Sequence, residues 1–278
     1  MSAISLYAKP SATFATKLAA SRALLLSSAA QYSGITQASS LGAEDMVVTH
    51  LIADTGIASS VFVLDTRMLH AQTLALNGQL EARHAITVGV YQPDAAVAAA
   101  FVAENGDDAM YKSLGLRKTC CDFRKMEPLA RALEGKKAWI TGLRREQSSA
   151  RAEVHDVEQQ HITVNGEATT RAKINPLADW TWGDVWHFIK TESIPYNPLH
   201  DAFFPSIGCA PCTRAVTLGE DFRSGRWWWE QESAKECGLH VEGGHTADGA
   251  AQEPAAFEAL SSPLPFSVSR IPVKEIPL

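Results

Sequence analysis

The chain has 278 residues, 46% hydrophobic and 20% charged, with a formal net charge of −6. That length allows one large or two small domains, and the acidic balance argues against a general nucleic-acid binder. No stretch approaches the ~20 apolar residues of a membrane span, and the apolar run at 23–26 is too short for a secretion signal.

Residues 1–34 are expected to be an N-terminal helical segment, rich in Ala and Ser, with Phe14, Leu18 and Leu25 along one face. A short strand leads into Ser39-Ser40-Leu41-Gly42-Ala43-Glu44-Asp45, and 46–52 is an apolar helical stretch. Residues 61–64, 86–88 and 138–141 are short, β-branched and apolar, and each leaves room for a helix before the next. That alternation predicts βαβ units and a mainly parallel α/β sheet. Thr181-x-x-Asp184 has capping-box spacing and opens a helix carrying Val185, Trp186 and Ile189. Beyond Gly238 the composition shifts to Gly, Ala, Pro and Ser without periodicity. A weakly ordered tail is therefore expected over 241–278, behind a main domain at 35–240.

Two loops suit a ligand, the first of them an anion. The small-residue turn at 39–45 would present unpaired N–H groups and a positive helix end, although an ordinary helix cap has the same appearance. Leu64-Asp65-Thr66 ends the next strand, and ligands of open α/β sheets collect outside the carboxyl ends of strands, so both loops should face one crevice. Arg144, Arg145, Arg151, Arg223 and Arg226 add local positive charge in the form of donor forks that match phosphate or sulfate. Arg223 and Arg226 also suit stacking beside Trp227–Trp229, and the three tryptophans read as packing.

The five cysteines divide four plus one. Cys120-Cys121 and Cys209-Ala-Pro-Cys212 are two separated pairs whose thiolates suit zinc or an iron–sulfur cluster, and the adjacent pair departs from the usual zinc spacing. A redox pair, two disulfides or buried small hydrophobes are the alternatives. Cys237, between Lys235 and His240, is left over as a candidate nucleophile.

Together the motifs resemble one family. They include Ser-x-Gly-Ala-Glu-Asp, Leu-Asp-Thr with Leu69-His70, Cys-Cys-x-x-Arg-Lys-x-Glu-Pro-Leu at 120–129 and Gly-x-Arg-Arg-x-Gln-Ser at 142–148. Pro195-Tyr-Asn-Pro-Leu-His200, Ile207-Gly-Cys-Ala-Pro-Cys-Thr-Arg214, Gly225-Arg-Trp-Trp-Trp-Glu230 and Lys235-Glu-Cys-Gly-Leu-His240 complete the set. The chain resembles the assimilatory adenylyl-sulfate (APS) reductases, relatives of the PAPS reductases, over roughly residues 35–240.

The resemblance implies an adenine-nucleotide α-hydrolase-like fold with a modified pyrophosphate loop and a mobile C-terminal segment. Cys120, Cys121, Cys209 and Cys212 would hold a [4Fe–4S] cluster, and Cys237 would be the nucleophile. Ser39, Ser40, Gly42, Ala43, Glu44, Asp45, Leu64, Asp65, Thr66 and Gly142 would form the nucleotide loops. Lys125 would lie between cluster and substrate; without the resemblance it reads as an exposed helical lysine. Arg144, Arg145, Arg151, Arg223 and Arg226 would surround the phosphosulfate, with His240 among the cations near Cys237. Arg67 stands where the family usually has glycine after Leu-Asp-Thr, the arginine segment is shorter than is common, and the tail after His240 is longer.

The activity implied is thioredoxin-dependent reduction of APS to sulfite and AMP through an S-sulfocysteine, in sulfate assimilation and cysteine biosynthesis. Thioredoxin or a similar dithiol, no nucleic acid, no membrane and a cytoplasmic location go with it, and a homo-oligomer is compatible with it. A PAPS reductase shares the Cys237 motif but typically lacks the four ligand cysteines. A tRNA-thiolating enzyme would call for Ser-Gly-Gly-x-Asp-Ser and a basic surface, and a zinc-binding module would leave Cys237 and the arginines without a role.

Overall fold

The computed structural model describes residues 2–230 except 165 and 218. Helices α1 (Ala3–Tyr7) and α2 (Phe14–Gln31) precede strand β1 (Ile35–Ser39), helix α3 (Ala43–Thr55) and strand β2 (Ser60–Leu64). Then come α4 (Ala71–Leu74), α5 (Leu76–His84), β3 (Val88–Tyr91), α6 (Ala95–Asn105), α7 (Ala109–Lys112) and α8 (Leu114–Cys121). A π-helical turn, Asp122–Met126, joins α8 to α9 (Glu127–Ala132). Strand β4 (Ala138–Ile140), the hairpin β5 (Val157–Val164) and β6 (Glu167–Ile174), and α10 (Trp182–Glu192) complete the regular elements.

The sheet runs β3-β2-β1-β4-β6-β5, parallel throughout except for β5 against β6. After β1 the chain builds outward to β3, then returns to lay β4 on the other side of β1. The β1/β4 junction is thus a topological switch point, where α/β sheets open a crevice. Helix α3 is buried almost all round, from Ala43 to Ile52, between the sheet and α10. Its polar contacts are satisfied inside: Thr49 Oγ1 donates to Gln37 Oε1 at 2.7 Å, and Gln37 Nε2 donates to the Asp45 carbonyl at 2.9 Å.

The N-terminal segment shares this core. Ala3 and Leu25 belong to its apolar cluster, and Ser21 Oγ joins the Pro176 carbonyl and Trp180 Nε1. The expected capping box is present: Asp184 N donates to Thr181 Oγ1 at 3.0 Å and Thr181 N to Asp184 Oδ2 at 2.9 Å. Ser11 N and Lys17 Nζ also donate to that carboxylate, at 2.7 and 2.9 Å.

Two strand expectations need correction. The third strand begins at Val88, not at 86, because Ala85 takes a left-handed conformation that ends α5. The β5–β6 hairpin was not foreseen. Its first strand alternates exposed with half-buried residues, but the half-buried face carries Glu158 and Gln160 beside Ile162, so the sequence shows no apolar run or apolar–polar alternation. No helix among the described residues is long and apolar enough to cross a membrane.

Candidate active site

The β1–α3 loop is held by its own side chains. Asp45 Oδ2 accepts from Ser40 N at 2.7 Å and Ser40 Oγ at 2.6 Å, Ser39 Oγ accepts from Leu41 N, and Leu41 is left-handed at φ 59°. Gly42 caps α3 without a side chain, leaving the helix N-terminus toward the crevice. Across the switch point Gly142 approaches so closely that any Cβ there would meet Asp45 and Glu44. Burial pushes the Asp45 carboxyl up to about 6, against the lowering effect of the Ser40 bonds.

The crevice is lined by Ser39, Ser40, Gly42, Glu44 and Asp45 from this loop, Leu64 and Thr66 from the end of β2, and Gly142 after β4. Its cations are Lys125, Arg151, Arg223 and Arg226. Arg226 is buried, its guanidinium 4.7 Å from the Trp227 ring centre, and its Nε has no hydrogen-bond partner among the described residues. Gly208 makes room for it, since a Cβ at that position would strike the guanidinium. Arg226 thus stacks and faces the crevice at once.

Four predicted residues lie elsewhere. Ala43 is packed in the core. Asp65 accepts from Arg67 N at 2.9 Å and Gln92 Nε2 at 2.8 Å, fixing the turn after β2. Arg144 is buried and spent on carboxylates: its Nε and a terminal nitrogen donate to Glu44 at 3.1 and 3.0 Å, and the other to Glu146 at 2.9 Å. Arg145 points outward to Asp156 and Asp179. Of the five arginines expected around an anion, the crevice is lined by Arg151, Arg223 and Arg226, while Arg144 shapes the wall through Glu44 and Arg145 pins the surface.

Gln147, His200, Phe222 and Trp227 line the crevice without having been singled out as site residues. Gln147 links Glu44 to Arg151, donating to the first at 2.9 Å and accepting from the second at 2.7 Å. Burial draws His200 down to about 4, so it is neutral, and its Nδ1 donates to the Phe204 carbonyl at 2.8 Å. The Gln-Ser after Arg-Arg and the His of Asn-Pro-Leu-His were the available signals.

A second cavity abuts the first. It is lined by Cys120, Cys121, Cys209 and Cys212 together with Met68, Met110, Arg117 and Arg124. Cys120 and Cys121 end α8 just before the π-helical turn, a feature that often marks functional sites. Cys209 is held by a 3.2 Å contact with Thr66 Oγ1 and by an isolated antiparallel β-bridge to Leu69. Burial pushes the Cys212 thiol up to about 12, and the neighbouring Cys209 adds to the effect; burial also raises Cys120. Such thiols ionise when positive charge lies close to them, whether a bound metal or the neighbouring Arg124, Lys125 and Arg226, which oppose the effect of burial. Among the described residues no three His, Cys, Asp or Glu side chains are gathered closely enough for a single metal ion. Lys125 and Trp227 line both cavities and form the wall between them.

Residues 34–215 match the phosphoadenosine phosphosulfate reductase domain. The chain belongs to that family. It is 48% identical to an adenosine 5'-phosphosulfate reductase of Burkholderia cepacia, over 79% of this chain and 85% of the relative. The enzyme of that name from Allochromatium vinosum is 45% identical, over 89% of this chain and 93% of its own. Among solved structures, the phosphoadenylyl-sulfate reductase of Candida auris in its phosphate complex superimposes with a TM-score of 0.58 at 24% identity, covering 71% of this chain and 90% of that one. That likeness establishes the fold.

Within this reductase family framework the Arg67 departure has a local explanation. Arg67 is left-handed at φ 60°, the conformation a glycine adopts freely, and its side chain is exposed. The backbone turn is thus kept despite the substitution. Cys237, His240 and the 241–278 tail lie outside the described residues.

Proposed function

We propose that the chain is an adenylyl-sulfate reductase that cleaves adenosine 5'-phosphosulfate to sulfite and AMP in sulfate assimilation. The observation that carries this reading is the wall shared by the two cavities. Lys125 and Trp227 separate a crevice with three arginines from a chamber with four thiols. The relatives carry the same activity in their names.

The β1–α3 loop and Gly142 would take the nucleotide at the switch point. Arg151, Arg223, Arg226 and Lys125 would neutralise the phosphosulfate, with guanidinium forks suited to its oxygens. The Cys237 thiolate would attack the sulfate sulfur, its S–S bond forming as the bond to the AMP oxygen breaks, and AMP would leave with the electron pair. A dithiol such as thioredoxin would then attack the Cys237 sulfur of the S-sulfocysteine, expel sulfite, and resolve the mixed disulfide with its second thiol. With four cysteines engaged as ligands, the chain has no resolving thiol of its own, which accounts for an external one.

The donor set of the second cavity fits a [4Fe–4S] cluster held by Cys120, Cys121, Cys209 and Cys212, with Arg117, Arg124 and Lys125 around it. Bound there, it would supply positive iron centres to the four thiolates and a charged neighbour to Lys125. Side-by-side assays of sulfite release from APS and PAPS, with thioredoxin supplied, test the proposal. Preference for APS is expected, and release from PAPS alone would reverse the assignment.

A further inference from the structure

We propose that Gln147 is the positioning residue for Arg151, a neutral adapter that sets the guanidinium in the crevice wall without joining it to the charge of Glu44. The inference rests on the reading of Arg151 as an anion-binding group. Gln147 ends a short turn, Arg145–Gln147, and both ends of its carboxamide are in use. Nε2 donates to Glu44 Oε1 at 2.9 Å, while Oε1 accepts from a terminal nitrogen of Arg151 at 2.7 Å and from Arg144 N at 3.2 Å. Glu44 and Arg151 are only 8% and 7% exposed, so these bonds lie inside the wall.

The chemistry of the two neighbours selects an amide. A carboxylate only accepts and a guanidinium only donates, so a side chain joining them needs a donor at one end and an acceptor at the other. Glutamate has no donor to offer Glu44, and methionine, of similar length, has no donor and only a weak acceptor. The amide is also held in one orientation, because its reverse would set nitrogen against guanidinium and oxygen against carboxylate. The same contacts divide the labour of two arginines. Arg144 meets Glu44 directly, through Nε and a terminal nitrogen at 3.1 and 3.0 Å. Arg151 is linked to that carboxylate through a neutral group, so it takes its orientation from Glu44 without pairing with it. Glu44 opens α3 beside Asp45, the residue that holds the β1–α3 loop, and the bond chain therefore keeps Arg151 in register with that loop. If Gln147 were removed, Glu44 would keep its two bonds from Arg144, and the loss would fall on Arg151.

The test measures kcat/KM for APS, with thioredoxin supplied, in wild type, Q147M, R151A and Q147M/R151A. The inhibition constant of adenosine, which carries no anion, is measured in each. Q147M should lower kcat/KM about tenfold and R151A at least as much, while inhibition by adenosine stays within about twofold. Once Arg151 is gone, Q147M should lower kcat/KM by no more than about a further twofold, because nothing is left for it to position. A wild-type kcat/KM in Q147M, or the same loss with and without Arg151, would overturn the assignment, the second by making Gln147 a direct contact. A parallel weakening of adenosine would also overturn it, since Gln147 would then shape the crevice as a whole. If Q147M does not fold, the isosteric Q147E decides. It has no donor for Glu44, so a loss of about tenfold or more is expected at unchanged adenosine inhibition, and a wild-type value is fatal. Unchanged kcat/KM in R151A would instead remove the anion-binding reading of Arg151, and the proposal with it.

Discussion

Gly142 stands so close to Asp45 that a Cβ on it would lie 2.6 Å from the Asp45 Oδ1 oxygen and 2.9 Å from the Glu44 Cβ. The two residues come from opposite sides of the switch point, and the Gly142 backbone packs directly on the Asp45 side chain to close the floor of the crevice. Gly142→Ala should force the β1–α3 loop outward. AMP affinity is expected to fall roughly tenfold, and the melting temperature by several degrees, as for overpacking that costs about 1–3 kcal/mol. Calorimetric titration with AMP checks it, and wild-type affinity in a folded variant would refute the close contact.

Asp45 gives a pH dependence of defined sign. Its carboxyl sits at about 6 in the folded protein against an ordinary 3.8, so the folded state holds a proton that the unfolded chain has released between those values. Its contribution to stability therefore falls as pH rises through that window and levels off above it. Comparing thermal unfolding of wild type and Asp45→Asn from pH 4 to 7.5 isolates the effect. The wild type should lose ground to the variant up to about pH 6 and no further. A constant difference would show that the carboxyl is not perturbed.

Arg226 should matter for binding, because it faces the crevice while stacked on Trp227. Arg226→Ala is expected to lower kcat/KM for APS by about ten- to a hundredfold, the loss of a charged contact worth roughly 1.5–3 kcal/mol. Lysine should rescue poorly, since it lacks the planar fork. Unchanged kinetics would reduce Arg226 to a packing residue.

Cys237→Ser should retain the cluster spectrum and bind APS yet release no sulfite, because a hydroxyl is far less ionised and less nucleophilic than a thiol. Full activity in this variant, or an SO3 adduct on Cys209 or Cys212, would overturn the division of the cysteines.

Anaerobically purified protein should be brown and contain about four iron and four labile sulfides per chain. Iron and sulfide analysis decides this, and one zinc with no sulfide would exclude the cluster.

What the sequence revealed follows from how each feature is written in it. Strand β2 was legible because parallel strands buried on both faces read as continuous apolar runs, as in 61–64. The Thr181–Asp184 cap was legible because its partners are three residues apart. The β5–β6 hairpin was not, since the half-buried face of β5 is made mainly of Glu158 and Gln160 and so leaves no apolar pattern. Spacing likewise could not separate Arg144 from Arg151. Both follow Gly142 closely, and only the fold brings Glu44, 100 residues upstream, onto Arg144 and leaves Arg151 to the crevice. His200 and Phe222 arrive from loops distant in sequence, so their convergence is a property of the fold alone.

The π-helical turn at Asp122–Met126 sets an angular phase. It is equivalent to an α-helix with one residue inserted, and a single residue corresponds to about 100° of rotation in an α-helix. Removing one residue there would restore a regular helix and swing Cys120 and Cys121 round the axis by roughly that angle relative to Lys125. The thiols and the lysine would then no longer look onto the same wall. The extra residue thus acts as a gear tooth, keeping the face that carries the paired thiols in step with the face that carries Lys125 toward the crevice.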